Sequence, residues 1–310
     1  MKIIAILLLL SVAFLFSISS PWQRLSAMQM TRTEMASVAV NGEILILGGY
    51  LHPISLSSVE KYSPIKDAWV SLKDMPTSLD HSAAVSLGTD VYVIGGLERA
   101  ETGITSNEVF KFSLTQNKWE RVSSLPESLG AVSAVVIGHT IHVFGGLNTN
   151  GPSASHYLYN IDRDEWSKAE NMPTPNHHMA IATDGVRIFL TGGSEKFPDS
   201  LLSRVLVFDT KTKKWQEGPK LPTPRGDAQG TIIGKYFIVA GGENANGEVF
   251  DVIEALDMDL MTWKTLPSLR LARHGHASVS IGNSLYIIGG RDKNHNWGYT
   301  DLNERLEIKN

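Results

Sequence analysis

Paired glycines occur at six evenly spaced points, beginning at Gly48, Gly95, Gly145, Gly192, Gly241 and Gly289, with intervals of 47, 50, 47, 49 and 48 residues. Six tryptophans, Trp22, Trp69, Trp119, Trp166, Trp215 and Trp263, keep the same five intervals, so each stands 26 residues before the next Gly-Gly. A period near 48 held through six copies restricts the chain to a repeat architecture, in which each unit buries its apolar surface against its neighbours. An aromatic or apolar residue (Tyr62, Phe112, Tyr159, Phe208, Leu256) sits seven before a tryptophan in five repeats. All length variation therefore falls between the Gly-Gly and that residue, in one loop per repeat.

Each Gly-Gly follows a run that is apolar at successive positions, as in Ile44-Leu45-Ile46-Leu47, Val91-Tyr92-Val93-Ile94 and Leu285-Tyr286-Ile287-Ile288. Runs this short, rich in β-branched and aromatic residues, read as strands buried on both faces. Ala83 to Gly88 supplies a strand before such a run. Val59 to Tyr62 and Trp69 to Leu72 supply two after it, with Met-Pro or Leu-Pro turns leading to the next repeat. Four strands per repeat make one blade of a β-propeller. The doubled glycine suits a chain leaving a central strand beside a neighbouring blade, where φ is positive and a Cβ is unwelcome. The tryptophan supplies a large apolar plate between sheets.

The segments Trp119-x5-Leu125-Pro126 and Trp215-x5-Leu221-Pro222-Thr223-Pro224-Arg225, each followed by apolar strands and Gly-Gly, resemble the kelch repeat. The resemblance covers residues 20–310 and implies an all-β fold, a six-bladed kelch β-propeller. Six periods at the mean spacing fill about 289 residues against 291 beyond residue 19, which leaves no room for another domain. Trp22 precedes the first Gly-Gly, and nothing after Gly290 places a tryptophan at the expected spacing. The N-terminal strand around Trp22 is thus expected to complete the last blade, begun by Gly289-Gly290 and Leu302 to Ile308. Closure of this kind removes the ring's open edges.

Residues 1–19 read as a signal peptide, with Lys2, an unbroken apolar run from Ile3 to Phe16, and a small-residue cluster cut near Ser19. The 14-residue run is shorter than the roughly 20 residues that span a bilayer. The mature chain is expected to be a monomer, periplasmic or secreted, without membrane contact after cleavage. No Asn lies in an Asn-x-Ser/Thr sequon, which suits a bacterial export product. The chain has no Cys, which excludes disulfides, thiolate nucleophiles and cysteine-held metals. Lys plus Arg at 28 against Asp plus Glu at 32 is too balanced for a nucleic-acid surface, so no nucleic-acid partner is expected, and no cofactor is called for.

In an up-and-down blade, the loop after Gly-Gly and the loop entering the first strand meet on one rim, and variable loops on a rigid scaffold are where binding residues concentrate. The fixed offset lets positions be compared around the ring. Ten residues after each tryptophan stand Arg32, Leu79, Leu129, Asn176, Arg225 and Arg273, which puts three arginines in adjacent blades as a cationic arc. Two positions on stand Glu34, His81, Ala131, His178, Asp227 and Gly275, with Asp80, His177, His274 and His276 beside them. Tyr50, Leu97, Leu147, Ser194, Glu243 and Arg291 follow the Gly-Gly pairs. Candidate ligand-binding residues are therefore Arg32, Glu34, Tyr50, His81, His178, Arg225, Asp227, Glu243, Arg273, His274 and Arg291, since Arg forks match carboxylates and aromatic rings pack on sugars.

Bland readings stand beside these. The kelch resemblance implies that the tenth-position Arg and His276 serve structural hydrogen bonds equally well, and Asp227 and Glu34 can pair with neighbouring arginines. His177-His178 and His274-Gly275-His276 bring no third ligand at recognisable spacing, so no metal is expected. His142 lies within a strand run and reads as packing.

Fold alone does not decide function here. The leading expectation is a secreted or periplasmic binding protein that recognises a carbohydrate or protein ligand on this rim. The alternative is a sugar epimerase or mutarotase, from a weaker resemblance to the stand-alone periplasmic sialic-acid (N-acetylneuraminate) epimerases, which have longer insertions. Glu34, His81, His178 and Asp227 are the available acid–base types, and no single catalytic residue is assigned. Kelch copper oxidases of galactose need a Tyr-Cys cofactor that this chain cannot make. Ubiquitin-ligase adaptors need an N-terminal partner-binding domain for which no residues remain.

Overall fold

The computed structural model describes residues 20–99, 103–196, 202–292 and 298–309; the signal-peptide reading of residues 1–19 lies outside them. Among the described residues, six four-stranded antiparallel sheets form the blades. The first blade runs Ala36–Val40, Glu43–Leu47, Val59–Ser63 and Ala68–Ser71. The next four blades repeat it, with first strands Ala83–Leu87, Ser133–Ile137, Ala180–Thr183 and Gln229–Ile233. The last blade takes Ala277–Ile281, Ser284–Ile288 and Asn303–Glu307 from the C-terminal end and Trp22–Arg24 from the N-terminal end, with Trp22 opposite Leu306. The ring closes as the spacing of the tryptophans requires. First strands of successive blades pack against one another around the axis. No helix among the described residues is long and apolar enough to cross a membrane.

The constant spacings have physical causes. Each residue seven before a tryptophan is its cross-strand partner: Tyr62 with Trp69, Phe112 with Trp119, Tyr159 with Trp166, Phe208 with Trp215 and Leu256 with Trp263. The tryptophan also stitches blades together. Indole Nε1 donates to a backbone carbonyl of the preceding blade from Trp22 (Ser268, 2.7 Å), Trp69 (Ser26, 2.8 Å), Trp119 (Lys73, 2.9 Å), Trp166 (Ser123, 2.8 Å) and Trp263 (Pro219, 2.9 Å). Trp215 breaks the pattern, and the corresponding carbonyl, that of Glu170, is met at 3.3 Å by Nδ1 of His156.

At Gly-Gly, the second glycine's N–H donates to the carbonyl of the tenth-position residue in the next blade, at 2.9–3.0 Å in all six repeats. Both glycines have positive φ. A Cβ on the first would stand 2.2–2.5 Å from that same carbonyl oxygen in five of the six repeats, so backbone contact excludes any other residue.

His142 and His156 belong to this interior. They are 7% and 0% exposed, joined Nδ1 to Nε2 at 3.0 Å, and stack on Phe144. Burial pushes His142 down to about 4; burial, and then the neighbouring His142, pushes His156 down to about 3. Because these folded values lie below the unfolded value of about 6.5, the stability that depends on neutral imidazoles is complete above pH 6.5 and lost as pH falls toward 4. Urea unfolding between pH 6.5 and 4.5 is expected to show about 1.4 kcal/mol lost per pH unit for each histidine that must charge. A double variant, His142→Phe with His156→Phe, should have a shallower profile; equal slopes would refute the assignment.

Candidate functional site

The six residues twelve after each tryptophan form a second, inner ring. Glu34, His81, Ala131, His178, Asp227 and Gly275 all adopt left-handed φ, between 51° and 56°. Each donates its backbone N–H to the carbonyl of its counterpart in the preceding blade, over 2.8–3.4 Å, so that six hydrogen bonds encircle the axis. Such φ values are costly for residues with side chains, and their repetition is held by the ring itself. Just outside, isolated bridges join Thr33 to Tyr50, Asp80 to Leu97, Gly130 to Leu147, His177 to Ser194, Gly226 to Glu243 and His274 to Arg291. The loops after Gly-Gly and the loops entering the first strands therefore share one face. Ring residues Glu34, His81, Ala131, His178 and Asp227 line, together with the first strands, a cavity of about 150 Å³ that also takes in Ser37, Ser133 and Ser278.

Small residues at two ring positions let the others converge. A Cβ on Gly275 would meet Glu34 Oε1 at 2.4 Å, so the Glu34 carboxyl fills the space that Gly275 leaves and reaches Asp227 beyond it. Ala131 likewise separates His81 from His178, whose rings meet edge to face at 5.1 Å. Glu34 Oε2 lies 3.4 Å from His81 Nε2, and Glu34 Oε1 lies 3.6 Å from His274 Nδ1, which is itself 2.6 Å from Asp227 Oδ2. Outer partners orient both rings. His81 Nδ1 is 2.5 Å from Asp80 Oδ1, whose other oxygen accepts from Ser55, and His274 Nε2 is 3.9 Å from Glu243.

Charge is divided unequally in this cluster. Burial alone would raise Glu34, but His81 and His274 hold it well below the usual carboxylate range. Burial, and next the Glu34 charge, pushes Asp227 up to about 8. Burial opposes the charge on His81, yet Glu34 and Asp80 raise it to about 9. His274 is raised well above the usual histidine value against burial, by hydrogen bonds to Asp227 and Glu34. His178 is pushed well below by burial and then by the charge on His81. Near neutral pH the mouth therefore presents a carboxylate and a carboxylic acid in contact, with two imidazolium groups beside them.

Glu34, His81, His178, Asp227 and His274 come together as the offset suggested. The three arginines do not join them. Arg32, Arg225 and Arg273 are each 0% exposed and pair inside their own blades with Glu60, Glu254 (2.5 Å) and Glu304 (2.9 Å). The expected cationic arc is architecture, because the tenth-position side chain pairs inside its own blade while only its carbonyl reaches the preceding one. His276 is also interior, 0% exposed, and a Cβ on Gly241 would meet its ring at 2.6 Å. Tyr50, Glu243 and Arg291 stand half-buried on the rim. Two rim partners lie in the variable loops and carried no repeat signal: Tyr299, whose OH accepts from the His52 N–H at 3.3 Å, and His52, 2.9 Å from the Tyr50 OH.

Two trios, Glu34/His81/His178 and Glu34/Asp227/His274, have donor atoms within 4.8 Å of one another. The fold supplies the third group that sequence spacing lacked, so the cluster's geometry admits a cation as well as a shared proton.

Comparison with known proteins agrees with this architecture. The KLHDC2/KLHL20/DRC7 Kelch-repeats domain matches residues 80–290, and the Kelch motif matches residues 31–76. Kelch-like protein terF of Aspergillus terreus is 26% identical over 286 residues, covering 86% of this chain and 62% of that protein. Human Kelch-like protein 23 is 24% identical over 266 residues, covering 86% of this chain and 38% of that one. The chain spans less than two thirds of the length of these curated relatives. Among solved structures, that of YjhT superposes with a TM-score of 0.79 over 90% of this chain and 95% of its own, at 19% identity.

Proposed function

This chain belongs to the kelch-repeat family, and we propose that it is a sugar isomerase of the epimerase or mutarotase type, acting at the anomeric centre of a reducing sugar. On the leader sequence, we further propose that it acts in the periplasm or outside the cell. The observation that carries the reading is the contact between Glu34 and Asp227, two carboxyl groups that their surroundings push in opposite directions, Glu34 down and Asp227 up. Environments that push two titratable groups apart in this way divide the roles of base and acid between them.

Glu34 removes the proton from the anomeric hydroxyl while Asp227 gives its proton to the ring oxygen. The bond between anomeric carbon and ring oxygen breaks, leaving an open-chain carbonyl. Rotation and the reverse transfers close the ring on the other face. Opening leaves Glu34 protonated and Asp227 ionised, and closure restores both, Asp227 taking the proton of the attacking hydroxyl while Glu34 returns its own to the carbonyl oxygen. His81 and His274 offset the negative charge that builds on oxygen. Glycoside hydrolysis fits less well, since its carboxyls flank the scissile bond about 5 Å or more apart, whereas here they touch.

Magnetisation-exchange NMR on N-acetylneuraminate and a panel of neutral aldoses tests this. Exchange between anomers should exceed the buffer rate for at least one sugar. Ligand shifts without accelerated exchange would leave a binding module and overturn the isomerase.

A further inference from the structure

The rim around the acid–base cluster is not symmetric. Over the second, third and fourth blades the residues after Gly-Gly offer no aromatic or charged group. Leu97 is buried, Leu147 is apolar, and Ser194 is buried with its hydroxyl donated to the Lys196 carbonyl at 2.6 Å. Over the last and first blades the same positions carry Arg291 and Tyr50. Tyr299 extends the ladder outward from Arg291, whose guanidinium lies 5.8 Å from the Tyr299 ring centroid. Tyr50 meets Tyr299 across the blade junction at 6.4 Å with ring planes at 69°, forming an angled aromatic wall.

Position sets what this wall can touch. His274, Arg291 and Tyr299 are successive rungs of one ladder, so the Tyr299 backbone lies roughly 10 Å outward from that of His274. A single pyranose whose anomeric centre contacts Glu34 and Asp227 ends short of the Tyr299 backbone, while Tyr50, one rung from Thr33, stands between the two. We infer that the junction of the last and first blades is a second sugar subsite, and that the ligand is a reducing oligosaccharide whose end residue lies over Glu34 and Asp227 while its neighbour packs on Tyr50 and Tyr299. Aromatic rings suit the apolar face of a pyranose, and Arg291 supplies donors for its hydroxyls. The inference rests on the isomerase reading for the direction in which the sugar lies.

The test compares glucose with cellobiose, N-acetylglucosamine with chitobiose, and galactose with lactose, using saturation-transfer NMR titrations of the full chain. At least one dimer should bind about tenfold more tightly than its monomer. Tyr50→Ala and Tyr299→Ala should bring that ratio near one, and Tyr50→Phe, which keeps the ring, should preserve it; thermal melts check that each variant is folded. The subsite is overturned if no dimer binds more tightly than its monomer, or if the preference survives both alanine variants. Anomer exchange read on the same samples separates the two ideas. Accelerated exchange without a dimer preference sinks the subsite alone, and a dimer preference without exchange sinks the isomerase alone.

Discussion

Arg225→Ala and Arg273→Ala are each expected to lose about 3–5 kcal/mol of unfolding free energy, because removing one partner of a buried ion pair strands the other. Arg225 holds Glu254 at 2.5 Å and donates to the carbonyls of Thr223 (2.8 Å) and Val239 (3.1 Å); Arg273 holds Glu304 at 2.9 Å. Both arginine side chains are fully buried and their glutamates nearly so. Glu304 keeps a second partner in Arg270 at 3.6 Å, so the smaller of the two losses is expected for Arg273→Ala. The other half of the ring indicates how the loss can be repaired. Where the tenth position is Leu79 or Leu129, the residue equivalent to the glutamate is Phe110 or Tyr157, packed in the same apolar cluster. Replacing both partners of a buried pair by packed apolar groups is often neutral. Arg225→Leu with Glu254→Tyr should therefore be markedly more stable than Arg225→Ala alone. Urea unfolding decides the matter; alanine variants with wild-type stability and impaired ligand binding would return these arginines to the site.

The same pairs mark the boundary of what the sequence makes legible. The six-fold period, the four strands and the closure through Trp22 are readable because Gly-Gly and Trp each meet a backbone group of the neighbouring blade, and a backbone contact repeats wherever the fold repeats. Side-chain partnerships do not announce themselves this way. Glu60 and Glu254 stand nine before Trp69 and Trp263, and they occur only in blades that also carry the tenth-position Arg. That covariation between repeats was available as a signal for architecture, and a comparison of tenth positions alone misses it. The acid–base cluster was legible as a set of residues, since one offset places Glu34, His81, His178 and Asp227 on one ring and His274 stands next to its ring position. Its division of charge was not, because that depends on Gly275 and Ala131 leaving room for their neighbours. Tyr299 and His52 were beyond reach, lying in the loops whose lengths vary.

Glu34→Gln is expected to lower anomer exchange by about 10²- to 10⁴-fold, the usual worth of a positioned general base. Asp227→Asn should cost a similar factor through loss of the acid. The two variants differ in what they do to their neighbours. Glu34 adds to burial in raising Asp227, and it raises His81 against burial. In Glu34→Gln, Asp227 should titrate below about 8, with burial still holding it up, and His81 below about 9, which carboxyl-carbon and imidazole NMR can follow without any substrate. In the native protein, activity requires Asp227 to hold its proton, so the rate should fall as pH rises through about 8. A merely structural Glu34 would lower the rate only as far as the fold is lost and would leave no such alkaline limb. Undiminished exchange in folded Glu34→Gln, or an Asp227 that titrates as an ordinary carboxyl in the native protein, would remove the acid–base pair from the mechanism.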